Sequence, residues 1–135
     1  MPHIVVEYSA NLRERLELPR LLEKLHTVAI GTGVFPIGGA RTRAAERTHY
    51  RIADGHPDNG FVHVSMMIGA GRDAQTKERA SRAVFDALVQ HLQPLFETAP
   101  LGITLEVREL DPVLSYKHNN LHEYVKAREA GKEKP

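Results

Sequence analysis

The chain contains no cysteine and no tryptophan, and only four phenylalanines and four tyrosines among its 135 residues. Without a thiol it can form no disulfide, offer no thiolate nucleophile and supply no sulfur ligand to a metal. Acidic and basic residues nearly cancel, with 18 Lys plus Arg against 17 Asp plus Glu and a net charge of +1. That balance excludes the broad basic surface on which nucleic-acid binders depend. No apolar run approaches the ~20 residues that a membrane-crossing helix needs. Nor does the start show a basic region followed by a long apolar stretch, so no secretory leader is expected and the cytoplasm is the expected location. There is no Gly-x-Ser-x-Gly elbow and no His-Glu-x-x-His pair, which removes the usual signatures of a serine hydrolase and a zinc hydrolase.

The residues that are present support a core. Hydrophobic residues make up 41% of the chain, and its length fits one domain, expected over 1–125. A charged tail from 126 to 135 is expected to fray or be disordered. The opening Pro2-His3-Ile4-Val5-Val6-Glu7-Tyr8 predicts a strand over 3–8. Leu21, Leu22, Leu25, Val28 and Ala29 recur at helical spacing over 19–30, with Pro19 in the first turn and Gly31 and Gly33 at the end. A weaker strand pattern runs from Ala40 to Ile52, and the turn-forming run Ala53 to Gly60 follows. The same order then repeats. A strand spans 61–68, and a helix capped by Asp73 carries Ala80, Ala83, Val84, Ala87, Leu88 and Leu92 on one side. Pro94 is expected to kink or end that helix. Leu101, Ile103, Leu105 and Val107 alternate with polar residues in a last strand.

The chain therefore reads as an α+β, two-layer domain: two β-α-β repeats build a four-stranded mixed sheet with two helices on one face. Phe61, Val62, Val64, Met66, Met67 and Ile68 place apolar groups on both sides of the 61–68 strand, which predicts cover on both faces. Two helices cover only one face, so a second subunit is expected on the other.

Pro2 is the most informative residue. A small residue behind the initiator methionine permits removal of Met1, and Pro2 would then carry a free secondary amine. An α-amino group titrates near ~8, so a modest downward shift makes it a base at neutral pH. While Met1 is attached, the Pro2 nitrogen is an amide and cannot act this way. Parallel strands in a β-α-β unit begin at the same sheet edge. If the second unit runs antiparallel to the first, Pro2, Arg41 and Arg72 reach one rim, with Arg43 on the same strand face as Arg41. Cations near an amine, together with an apolar pocket, lower its pKa. Arginines also offer bidentate donors to carboxylates, and Arg72 stands at a helix N-terminus that favours anions. The implied ligand is a small organic polycarboxylate, with Arg41 and Arg72 as its binding residues. Arg43 and Arg47 read as surface residues.

Three other constellations are weaker. Gly69-Ala70-Gly71-Arg72-Asp73-Ala74 fits a permissive dinucleotide pattern, but the acidic partner expected ~20 residues on would fall inside a helix. His118 and His122 stand four apart, and His56 lies between Asp54 and Asp58 in a turn; neither set has the pattern of a metal site. His63, in an apolar strand, reads as a hydrogen-bonded histidine, and Glu7, Glu106 and Glu109 as solvent-facing or paired strand residues. The part played by His118, Asn119 and Asn120 is left open, as a structural connection or a pocket wall.

Four segments carry a family resemblance: MPHIVVEYS, GVFPIGGARTR, FVHVSMMIGAGR and SYKHNNLHEYVK. Together they resemble the 5-carboxymethyl-2-hydroxymuconate delta-isomerases of the tautomerase superfamily, from Met1 to about Lys126. The resemblance implies a tautomerase-like fold, a homotrimer and a cofactor-free isomerase. Its reaction would ketonise a dienol in the breakdown of homoprotocatechuate, derived from 4-hydroxyphenylacetate. By resemblance Pro2 is the acid–base catalyst and Arg41 and Arg72 bind substrate; no metal or other cofactor is expected. Phe35 and Pro36 match an apolar loop without a catalytic role. A tautomerase of another 2-hydroxymuconate-type dienol, or an anion-binding oligomer without activity, would use the same scaffold.

Overall fold

The structure, a computed structural model, describes residues 1–133. Four strands and three helices follow in the order β1 (Pro2–Ser9), α1 (Leu18–Gly31), β2 (Arg41–Arg47), β3 (Gly60–Ile68), α2 (Ala74–Phe96), β4 (Leu101–Glu109) and α3 (Leu121–Glu133). The sheet order is β2-β1-β3-β4. β1 runs parallel to β2 and β3 parallel to β4, while the central pair β1 and β3 is antiparallel. Two β-α-β units thus meet back to back, as the repeated pattern predicts.

Alternation along the central strands decides what is covered. Ile4, Val6 and Tyr8 of β1, with Val62, Val64, Met66 and Ile68 of β3, form one cluster with Leu21, Leu25 and Ala29 of α1 and Val84, Leu88 and Leu92 of α2. Period-two side-chain alternation puts each strand set on one face, and that face carries both helices. The opposite face is half-buried rather than sealed. Phe61 and Met67 lie on it, but beside His63 and Ser65 rather than in an apolar layer. Several of its charges are paired within the chain. Arg47 Nε donates to Glu7 at 2.6 Å, His63 Nε2 meets Glu106 Oε1 at 3.2 Å, and Arg108 Nη2 donates to the same oxygen at 3.0 Å. In the single chain β3 is therefore covered by the helices on one face only, and the open face is the one for which the sequence calls for a second subunit. The six apolar residues of β3 divide unevenly, and the uncovered face mixes ion pairs with apolar groups.

Three boundaries also differ from the sequence expectation. β2 stops at Arg47 instead of continuing to Ile52. Among the described residues its only neighbour is β1, whose last paired residue is Ser9 opposite Arg47; β1 then turns into a 3-10 turn at Ala10–Leu12, leaving Thr48 onward no strand there to pair with. α2 passes through Pro94 and ends at Phe96. Proline lacks only its own N–H, so in the last turn it removes one helical hydrogen bond, and buried Leu92 and Leu95 keep the segment docked. The segment from 126, expected to fray, continues α3 to Glu133. Its alanines, glutamates, lysines and arginine are strong helix formers, and Asn119 Oδ1 accepts from Leu121 N at 2.8 Å at the helix start. Lys134 and Pro135 lie outside the described residues.

Candidate active site

The strand registers bring the chain start to one rim. Pro2 lies opposite Ile68, the last residue of β3, and His3 lies opposite Arg41, the first residue of β2. The β3–α2 turn, Gly69 to Asp73, leaves from the same rim. Gly71 in that turn has φ +111°, a conformation that a side chain would strain. Asp73 caps α2, accepting from Thr76 N at 2.7 Å.

Arg72 is held by its surroundings. Its Nη1 donates to Gly69 O at 3.0 Å and its Nη2 to Val34 O at 3.3 Å. Its guanidinium carbon stands 5.1 Å from the centroid of Phe35, itself buried, within cation–π range. Phe35, given no role from the sequence, is thus a platform that fixes the arginine.

A cleft of ≈ 380 Å³ opens beside this turn. Its lining joins Met1, the turn residues Gly69, Ala70 and Arg72, and the chain leaving β4, from Leu110 to Pro112 with Ser115 and Lys117. This volume falls within the range of small-molecule sites, ~300–1,000 Å³. The β4 exit reaches the cleft because Asp111 folds it back: Asp111 Oδ1 accepts from Val113 N at 2.8 Å and Leu114 N at 2.7 Å. Those bonds to Leu114 and Val113 also hold the Asp111 carboxyl below its ordinary pKa.

Met1 covers buried Pro2 and puts its amine in the cleft. Burial, then the positive charges of Arg72, Lys117 and Arg41, lower the pKa of that amine below its ordinary 8.0. Gly39 makes room for it, since a Cβ on Gly39 would stand 2.7 Å from the Met1 nitrogen and 3.0 Å from its Cα. The rim therefore combines the chain start, Arg72 and a fold-back segment carrying Lys117.

Arg41 stands differently. It neighbours the site and acts on the amine through its charge, but it does not line the cleft. Its Nη1 donates to Gly39 O at 2.9 Å. Arg43 shares the face of Arg41, as its spacing predicts, and its Nη1 stands 3.1 Å from His3 Nδ1. Burial and then the charges of Arg43 and Arg41 lower the His3 pKa, which fits a neutral ring accepting from Arg43. Arg47 is engaged with Glu7.

Lys117, Ser115 and Asp111 were not assigned to the site from the sequence. Lys117 belongs to the SYKHNN segment, a distinctive stretch without recognisable chemistry of its own. Asn119 of that segment is a structural connection: its Nδ2 donates to Gly38 O at 3.4 Å while its Oδ1 caps α3. His122 packs against Gly38, where a Cβ would stand 2.5 Å from His122 Nδ1. Among the described residues no group of three or more histidine or acidic side chains could hold a metal ion, and no helix is long and apolar enough to cross a membrane.

The fold has counterparts among solved structures. It superimposes on a fused 4-OT described as a symmetric trimer with a TM-score of 0.62 at 16% identity, covering 86% of this chain and 93% of that one. Two β-α-β units with the chain start at the rim define a tautomerase-like fold. Closer likenesses narrow the class. The structure of a 5-carboxymethyl-2-hydroxymuconate isomerase from Deinococcus radiodurans R1 matches with a TM-score of 0.87 at 36% identity, covering 92% of this chain and 93% of that one. The Escherichia coli 5-carboxymethyl-2-hydroxymuconate Delta-isomerase is 37% identical over 126 residues, 93% of this chain and all of that protein. The sequence profile of the 5-carboxymethyl-2-hydroxymuconate isomerase family matches residues 2–125. The chain belongs to that family and is an isomerase.

Proposed function

We propose that this enzyme ketonises 5-carboxymethyl-2-hydroxymuconate in homoprotocatechuate (4-hydroxyphenylacetate) degradation, in the cytoplasm and as a homotrimer, with Pro2 as acid–base catalyst once Met1 is removed. The observation that carries this reading is the convergence at one rim of the chain start, Arg72 and a cleft of small-molecule size. An amine on Pro2 would stand one residue further into the surroundings that lower the Met1 amine. Those surroundings would lower it from its ordinary value toward neutrality, where acid–base catalysis works best.

The proton accounting is complete without a cofactor. The proline nitrogen takes the 2-hydroxyl proton, and the O–H pair becomes the new C2=O bond. The C2=C3 pair moves to C3=C4, and the C4=C5 pair takes a proton at C5 from the proline. Negative charge grows on the oxygen and along the carbon chain during transfer. Arg72 and Arg41 stabilise that charge and the carboxylates, and a fixed guanidinium does so with little reorganisation. The uncovered sheet face, with its paired charges and its Phe61 and Met67, is the surface through which copies of the chain would associate.

The test is the ultraviolet signal of dienol loss, followed with processed enzyme and with Pro2→Ala, each confirmed by intact mass. A fall of about a hundredfold or more, the range of a lost general base, supports the assignment. Equal rates in the two proteins would leave an anion-binding oligomer. Activity confined to a simpler 2-hydroxymuconate would change the substrate and keep the chemistry.

A further inference from the structure

The cleft holds a cation that the catalytic proposal leaves without a task. Lys117 lines it together with the β3–α2 turn, on the segment that Asp111 folds back. No ion pair or hydrogen bond engages Lys117 among the described residues, whereas Lys77 is paired with Glu109 and Arg47 with Glu7. Asp111, the one carboxylate in the lining, has its Oδ1 committed to two backbone N–H groups. Arg72, by contrast, spends two of its N–H groups on Gly69 and Val34. The ammonium of Lys117 is therefore the cleft cation whose donors are all uncommitted, whereas the Arg72 guanidinium is fixed in place by two of its five.

Substrate chemistry supplies a matching need. A muconate skeleton carries two terminal carboxylates, and the carboxymethyl branch at C5 adds a third. Three positive groups act on this region, Arg72, Lys117 and Arg41. We infer that Lys117 binds the carboxylate of the branch, and so sets the preference for the branched tricarboxylate over the unbranched 2-hydroxymuconate. The assignment rests on the proposed isomerase reaction. It follows the make-up of the site: the start of β1 and Arg72 stand at the strand ends, and Lys117 lines the same cleft from the return segment. An ammonium is a point donor on a flexible stem, suited to a carboxylate on a freely rotating methylene.

The experiment compares kcat/KM for the two substrates in the processed wild type, Lys117→Met and Lys117→Arg, with thermal melting as a check on folding. The ratio of the two kcat/KM values cancels any common effect of Lys117 on the basicity of the proline. The expected result is a fall of about tenfold in that ratio for Lys117→Met, the low end of a charge-assisted hydrogen bond at an exposed site, with most of it returning in Lys117→Arg. An unchanged ratio in Lys117→Met overturns the inference, whether both rates fall together or neither moves. A wild type that ketonises neither substrate instead overturns the isomerase assignment, so the two failures are distinct.

Discussion

Replacing Gly39 with alanine should have opposite effects on the chain with and without Met1. An added Cβ would lie 2.7 Å from the Met1 nitrogen and 3.0 Å from its Cα. Both are backbone atoms next to Pro2, which is paired to Ile68, so they cannot move aside like the tip of a flexible side chain. Forcing such an overlap costs about 2 kcal/mol, the middle of the overpacking range. Gly39 is not among the glycines with positive φ, so alanine also lowers the entropy of the unfolded chain, worth about 0.4–1 kcal/mol in favour of the variant. The Met1-bearing chain is then destabilised by about 1 kcal/mol net, while the processed chain, lacking the obstacle, is stabilised by about 0.4–1 kcal/mol. The unfolded-state contribution is common to both, so the forms should differ by the overlap alone, about 6 °C in the effect on Tm for a domain of this size. Thermal melting of Gly39→Ala against wild type in both forms, each assigned by intact mass, makes the measurement. An equal change in Tm in the two forms would show that Met1 does not occupy the space Gly39 leaves, and would refute the reasoning.

Two further outcomes follow from the same site. Arg72→Met should lower kcat/KM by about a hundredfold or more, in line with the loss of a fixed charge at the reacting centre. It should also lower stability by about 1–3 kcal/mol, because the bonds to Gly69 and Val34 go with the guanidinium; steady-state kinetics and denaturant melts read the two effects separately, and unchanged kinetics would remove Arg72 from the site. The acid limb of kcat/KM in the processed enzyme should lie below the ordinary value of the proline amine, and Lys117→Met should move it upward, because burial and the positive charges of Arg72, Lys117 and Arg41 depress an amine placed there. The same depression makes the stability of the Met1-bearing chain pH-dependent. Its folded amine pKa lies below the unfolded value, so the contribution is complete above pH 8 and is lost as pH falls through the folded value; a flat profile of Tm between pH 6 and 8 in that form alone would contradict it.

Much of this protein was legible without coordinates because its strands and helices announce themselves locally. Alternation in Ile4, Val6 and Tyr8, and helical spacing in Leu21, Leu25 and Ala29, are short-range patterns fixed by backbone geometry. Strand direction in β-α-β units then placed the starts of β1 and β2 at one edge. Local composition could not give the β2 end, since Thr48 to Ile52 have strand character but no partner once β1 turns away at Ser9. Nor could it give the course of α3, whose charged residues suit a disordered tail as well as a helix, while Asn119 and the contact of His122 with Gly38 anchor its start.

The chain order alone determined the fold, and its first residues and its arginines pointed to the chemistry: a proline behind the initiator methionine, Arg41 at a strand start, and Arg72 after a strand end. Tertiary structure decided which cations share the cleft. Arg72 lines it, braced on Phe35 and the carbonyls of Gly69 and Val34, while Arg41 acts from beside it through its charge. Lys117 enters from far along the sequence, carried by a turn that Asp111 closes. Sequence spacing cannot reveal such a meeting. It depends on how a long segment without regular structure returns across the rim, and that return is set by hydrogen bonds and packing that form only when the whole domain has folded.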